Sequence, residues 1–190
     1  GLLNRQIGGR SVKPYQPAGL WEATGTGKSY QQDTGAKLYR RSLYTFWKRT
    51  APPPAMLTFD AMSREVCTAQ REATATPLQS LVLLNDPQFV EASRVLGEKL
   101  LKEFPNDEPA RNREAFRALI GRSPDETEIK ILAQLFSEQR AAYSKNVEGA
   151  KKLLGIGETK RDESLPPAES AAMTTLVNAI MNFDEFVVER

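Results

Sequence analysis

Apolar residues recur at helical spacing over the later part of the chain and lose regular spacing over the earlier part. Thr76-Pro77-Leu78-Gln79 reads as a capping box with proline at the first helical position. The threonine oxygen accepts from an otherwise unpaired N–H, and Gln79 reaches back. The helix it opens, over about 77–84, is apolar at Leu78, Leu81, Val82 and Leu84 and is expected to be the central buried helix. Asp86-Pro87 opens a second helix over about 86–102, with Phe89, Ser93, Leu96 and Leu100 on one stripe. A third, over about 109–120, turns Phe116, Leu119 and Ile120 inward and ends at Gly121. Ser123-Pro124-Asp125-Glu126 predicts another capping box. It opens the longest helix, to about 144, with Ile129, Leu132, Ala133, Phe136 and Tyr143 on one face. A short helix over 147–154 follows, then a polar loop over 157–167. The last helix, over about 168–182, carries Met173, Leu176, Val177 and Ile180.

The first 75 residues break this pattern. They hold 5 of the 12 prolines and 7 of the 12 glycines, residues that interrupt helices and strands alike. Short elements only are expected: a helical turn or two over 17–23, a strand over the aromatic-rich 38–49, and a weaker strand over 66–71. Pro52-Pro53-Pro54 forces an extended or turning segment. The expectation is a mainly α fold of about six helices, with a loop-rich N-terminal part bearing at most a short β-hairpin. Residues 1–75 are expected to pack on 76–190 in a single domain.

Composition narrows the chemistry. The 190 residues are 40% hydrophobic and 26% charged, which suits a globular core. No apolar run approaches the roughly 18 residues of a membrane span; the best, 81–84, is four long. Histidine is absent, which removes His-based triads, His-ligated zinc and a C-x-x-C-H haem attachment. A single cysteine, Cys67, removes an internal disulfide and a thiolate metal cluster. Charge is uneven: residues 1–75 hold 11 Lys and Arg against 5 Asp and Glu, and the remainder holds 15 against 19. The basic part favours an acidic partner but falls short of a nucleic-acid-binding footprint. The chain opens on Gly1-Leu2-Leu3-Asn4-Arg5 with no leader pattern, and reads as a piece of a longer protein or a processed form.

Four features invite functional readings. Gly25-Thr26-Gly27-Lys28-Ser29 imitates the end of a phosphate-binding loop, but Glu22 stands where the first glycine belongs and the strand and helix context is missing. It is read as a flexible polar loop. Cys67, without a histidine base, is expected to be a small buried apolar residue, although Arg64 and Arg71 are close in sequence. Acidic pairs such as Asp125-Glu126 are accounted for by helix first turns. The strongest candidate is a mix of cations and aromatics: Arg40, Arg41, Trp47, Arg49, Arg64 and Arg71, with Asp60 and Glu65. It could stack on sugars, hold carboxylates or phosphates, or line a protein interface. Equally, these arginines could cap helices and pair with Asp60, Glu65 and Glu72.

The run Tyr39-Arg40-Arg41-Ser42-Leu43-Tyr44-Thr45-Phe46-Trp47-Lys48-Arg49-Thr50, followed by Pro52-Pro53-Pro54, Phe59-Asp60-Ala61, Arg64-Glu65 and Cys67-Thr68, leads into Thr76-Pro77-Leu78-Gln79 and Asn85-Asp86-Pro87. With Gly121-Arg122-Ser123-Pro124 and Asn182-Phe183-Asp184-Glu185-Phe186, it resembles the planctomycete-specific domain family over essentially the whole chain. The resemblance implies a C-terminal domain of unknown function in large exported bacterial proteins that often carry a cytochrome c-like domain. It therefore implies a cell-envelope setting, no cofactor within this fragment and no established catalytic residues. The leading reading is a non-catalytic module that binds other domains of its parent chain or an extracellular ligand, not nucleic acid. The alternative is a glycan-binding or hydrolytic role in polysaccharide breakdown, with Trp21 or Trp47 presenting a ring beside Asp60 or Glu65. A weaker third reading has the domain docking a haem domain.

Overall fold

The computed structural model describes residues 2–25, 27–62, 64, 67–70 and 73–188. Among them are eight α-helices: α1 (Pro54–Thr58), α2 (Pro77–Asn85), α3 (Pro87–Glu103), α4 (Glu108–Ile120), α5 (Glu126–Lys145), α6 (Val147–Leu154), α7 (Pro167–Met181) and α8 (Asp184–Val187). Three 3-10 turns, Glu22–Thr24, Gly35–Lys37 and Ser42–Tyr44, precede them. The fold is mainly α, as the spacing predicts. The chain divides into two compact units, residues 2–82 and 83–190, with the division inside α2.

In the unit 83–190, helix starts follow from local chemistry. Asp86 accepts from the Gln88 N–H at 2.9 Å, Asp107 from Ala110 at 2.9 Å and Asn146 from Gly149 at 2.9 Å. The longest helix is capped by Asp125 with Glu128 as its reciprocal partner, so the box lies two residues beyond the predicted Ser123. Gly121 closes α4 with a left-handed φ of 84°, where a Cβ would be strained. These helices pack round α7, whose Met173, Leu176, Val177 and Ile180 are fully buried against Leu101, Phe116, Leu132 and Phe136. At Gly97, a Cβ would stand 3.2 Å from Met173 Cγ and 3.3 Å from the α7 backbone. The glycine is what lets α3 approach α7 closely. On the same seam Asn178 Nδ2 donates to the Leu83 carbonyl at 2.9 Å and to Ser93 Oγ at 3.3 Å.

A charged cluster crosses this apolar unit. Arg94 is fully buried and faces Glu98 at 3.2 Å and Glu91 at 3.8 Å. The polar loop after α6 supplies the remaining partners. Thr159 N–H donates to Glu91 Oε1 at 2.6 Å, Arg94 donates to the Thr159 carbonyl, and Asp162 N–H reaches Glu98 at 3.2 Å. Lys102 pairs with Asp162 nearby. Burying such charges is tolerable because each has a partner.

The central helix is α7, not α2. In α2, Gln79 and Leu83 are buried, whereas Leu78, Leu81 and Leu84 are 57%, 57% and 50% exposed. Periodicity points the wrong way here, because polar Gln79 is drawn inward by the Thr76 cap and the Thr58 carbonyl while leucines are left outside. The capping box itself forms: Thr76 N–H donates to Gln79 Oε1 at 2.8 Å and Gln79 N–H to Thr76 Oγ1 at 3.3 Å.

In the unit 2–82, segment 38–49 is not a strand. Tyr44 and Thr45 N–H groups turn back to the Arg41 and Ser42 carbonyls at 2.9 and 3.0 Å, and the resulting 3-10 turn breaks the two-residue alternation. Among the described residues, strand-like pairing with 2–12 is limited to isolated parallel bridges, Asn4 to Arg40 and Val12 to Thr45. Lys48 and Ala51 make a third bridge, and no hairpin forms among the described residues. The helical turn expected over 17–23 is a single 3-10 turn at its end. Residues 67–70 are not strand, and the flanking Val66 and Arg71 lie outside the described residues.

Candidate functional site

The cation-rich segment 38–64 contains five basic residues and one acidic residue. Its candidates separate into groups turned inward and groups turned outward. Arg40 is turned inward: its Nη2 donates to the Gln6 and Gly8 carbonyls at 2.9 and 2.6 Å, and Nη1 to the Arg10 carbonyl at 3.4 Å. Its guanidinium lies 3.7 Å from the Tyr44 ring centroid, and the Tyr44 hydroxyl accepts from the Gly8 N–H at 3.0 Å. Arg40 therefore pins the 6–10 loop through backbone carbonyls, not through the helix ends or carboxylates expected as partners of these arginines.

Asp60 is also committed. Its carboxylate accepts from the Thr74 N–H at 2.8 Å, from Thr74 Oγ1 at 2.9 Å and from Gln79 Nε2 at 3.4 Å. Gln79 Nε2 donates in addition to the Thr58 carbonyl at 2.9 Å. Asp60 adopts φ 57°, a left-handed conformation that a short polar side chain tolerates better than most. Its carboxylate is a bracket between the end of α1 and the start of α2.

Arg64 shares the left-handed conformation at φ 63°. That turn helps set its guanidinium 4.8 Å from the Trp47 ring centroid while the residue stays exposed. A guanidinium stacked by its face keeps its in-plane N–H donors for a second partner. Arg41 and Arg49 are exposed as well. Trp47 is half-buried beneath Arg64. Glu65 and Arg71 lie outside the described residues. Cys67 is an exposed free thiol, which corrects the expectation of a buried apolar residue: it lies in 67–70, which is neither helix nor strand and is exposed throughout.

A second cation–aromatic cluster escaped the sequence reading. Trp21 is 5% exposed, with Tyr30 edge-on at 5.2 Å and Phe46 at 5.7 Å. Lys13 and Lys48 ammonium groups lie 5.0 and 4.6 Å from its ring centroid. Burial, with a contribution from the Asp33 carboxylate, pushes the Tyr30 phenol up to about 12, and its hydroxyl donates to the Pro14 carbonyl at 2.6 Å. The cluster's members, Lys13, Trp21, Tyr30, Phe46 and Lys48, are scattered along the chain with nothing local to bring them together. The Gly25-to-Ser29 stretch follows a 3-10 turn rather than a strand, and only the turn Gly35–Lys37 comes after it before segment 38–49. That is not phosphate-loop geometry. Among the described residues no group of three or more His, Cys, Asp or Glu side chains is placed to hold a metal.

Comparison with known families now bears on this arrangement. The model described as "PSD1: Protein of unknown function (DUF1553)" matches residues 1–136. The chain belongs to the PSD1 family. The match takes in the whole arginine–aromatic segment and α2 to α4, and reaches into α5. No curated protein and no solved structure matches the chain. Among the described residues, no PSD1 helix here is long and apolar enough to cross a membrane.

Proposed function

We propose that this PSD1 chain is a non-catalytic interaction module of a larger exported bacterial protein, working through the outward arginines of residues 38–64. The observation that carries the reading is the division of labour in that segment. Asp60, the described carboxylate nearest Arg49 and Arg64 in sequence, is consumed by Thr74 and Gln79, while Arg41, Arg49 and Arg64, set over Trp47, face outward. General acid–base chemistry needs a carboxyl that can reach a substrate. Recognition needs rigid, exposed donors, and stacking on an indole supplies the rigidity. The cell-envelope setting and the association with a planctomycete-type, cytochrome c-bearing parent rest on the family resemblance.

The glycan reading draws no support from the tryptophans. Trp21 is buried with two ammonium groups beside it, and Arg64 lies over Trp47. Trp21 is too enclosed for a pyranose to stack on, and on Trp47 a sugar would share the ring with Arg64. The test is a turnover assay of the purified chain on a panel of plant and algal polysaccharides and aryl glycosides. Product release is expected to stay at the no-protein level. Turnover that is lost in Asp60→Asn, with the melting temperature retained, would overturn the reading.

A further inference from the structure

We infer that the surface built on Arg41, Leu43, Phe46, Arg49 and the Arg64–Trp47 stack docks an acidic polypeptide segment that also carries apolar side chains. This rests on the interaction-module reading and names its partner. Three observations choose a polypeptide.

The first is charge. Segment 38–64 has five basic residues against one acidic residue, and that one, Asp60, is held by Thr74 and Gln79. Of the five cations, Arg40 and Lys48 are occupied by carbonyls or by Thr24 and Trp21. Arg41, Arg49 and Arg64 are exposed. An anionic partner complements this face.

The second is the apolar content. Leu43 is 78% exposed and Phe46 is 40% exposed, and both lie between Arg41 and Arg49 in the chain. Aromatic groups set among arginines match the composition of a protein-binding surface, and exposed Leu43 beside them adds apolar area to be covered. A hydrated acidic polysaccharide would meet the arginines but has nothing to place against Leu43.

The third is preorganisation. Leu43 is displayed by the Ser42–Tyr44 turn, which the Tyr44 and Thr45 N–H bonds close. Arg64 is set by a left-handed backbone and by the Trp47 ring. Side chains already ordered lose less entropy on binding.

The experiment selects binders to the 190-residue chain from a random peptide library. In parallel it titrates the chain with polygalacturonate and with a neutral glucan. Enriched peptides are expected to combine Asp or Glu with Leu, Phe or Trp. Arg64→Gln and Leu43→Ser are each expected to weaken a selected peptide about ten-fold, more than most interface positions cost. Arg113→Gln, an exposed position in the other unit, is the matched control and is expected to change nothing. Enriched peptides without acidic residues, or a peptide insensitive to both variants, would overturn the inference. So would polygalacturonate binding as tightly as the peptides. None of those results involves turnover, so the non-catalytic reading stands or falls separately.

Discussion

Residues 2–82 and 83–188 reach order by different means. The later unit is a helical bundle in which buried leucines and phenylalanines pack against α7, and α3 to α6 begin at side-chain caps. The earlier unit has few buried apolar residues, among them Val12, Trp21, Leu38 and Ala51. Order there comes from side chains that satisfy backbone carbonyls, such as Arg40 and Tyr30, and from cations stacked on rings. A bundle tolerates change on its surface because its stability is spread through packing. An irregular unit concentrates stability in a few polar contacts, and that leaves other cations free to face outward.

The sharpest way to break the contrast is to show the bundle depending on a polar contact. Arg94→Ala leaves the carboxylates of Glu91 and Glu98 without their buried cation. It is expected to cost about 3–5 kcal/mol, the loss typical of breaking a buried pair. Chemical denaturation of the variant measures it, and a loss comparable to a surface substitution would mean that the loop carrying Thr159 and Asp162 does not depend on the cluster. In the other unit, Arg40→Ala removes the hydrogen bonds to the 6–10 loop. The expected cost is about 1–2 kcal/mol, toward the lower end for charge-assisted bonds because the site is wet. Faster amide exchange confined to that loop would sharpen the comparison, whereas global loosening would blur it.

Smaller effects follow from caps and protons. Thr76→Ala should cost about 1 kcal/mol through the α2 capping box, read from the same denaturation curves. The Tyr30 phenol, raised to about 12 in the folded chain, contributes stability that is complete below its ordinary value near 10. That contribution is lost as pH rises toward 12, because the unfolded chain releases the proton first. Tyr30→Phe should remove this alkaline loss. On the acid side, hydrogen bonds from Arg122 and from Lys102 hold Glu128 and Asp162 below the usual carboxylate range. Their contribution is present above that range and fades as pH falls through the lowered values. Arg122→Ala should flatten the Glu128 share.

The candidate site was only partly legible. The arginines and aromatics of 38–49 stand out in the sequence, yet adjacent Arg40 and Arg41 have opposite fates. Arg40 finds carbonyls 30 to 34 residues away and Arg41 faces solvent. Asp60, a plausible acid by type, is held by Thr74, 14 residues on. The Lys13 and Lys48 pair beside Trp21 had no local signature at all.

From residue order alone came the helical class, the approximate bounds of α2 to α7, and the large apolar side chains Met173, Leu176, Val177 and Ile180 that α7 buries. Caps, prolines and apolar stripes act within about four residues of one another, so their outcome is written locally. Tertiary structure decided which side of α2 meets the core, whether 38–49 would pair as a strand, and which charges are spent on the scaffold. Those outcomes depend on partners far along the chain, as when Glu91 meets Thr159 across 68 residues. A side chain's chemistry says what it can bond, and only the folded path says what is within reach.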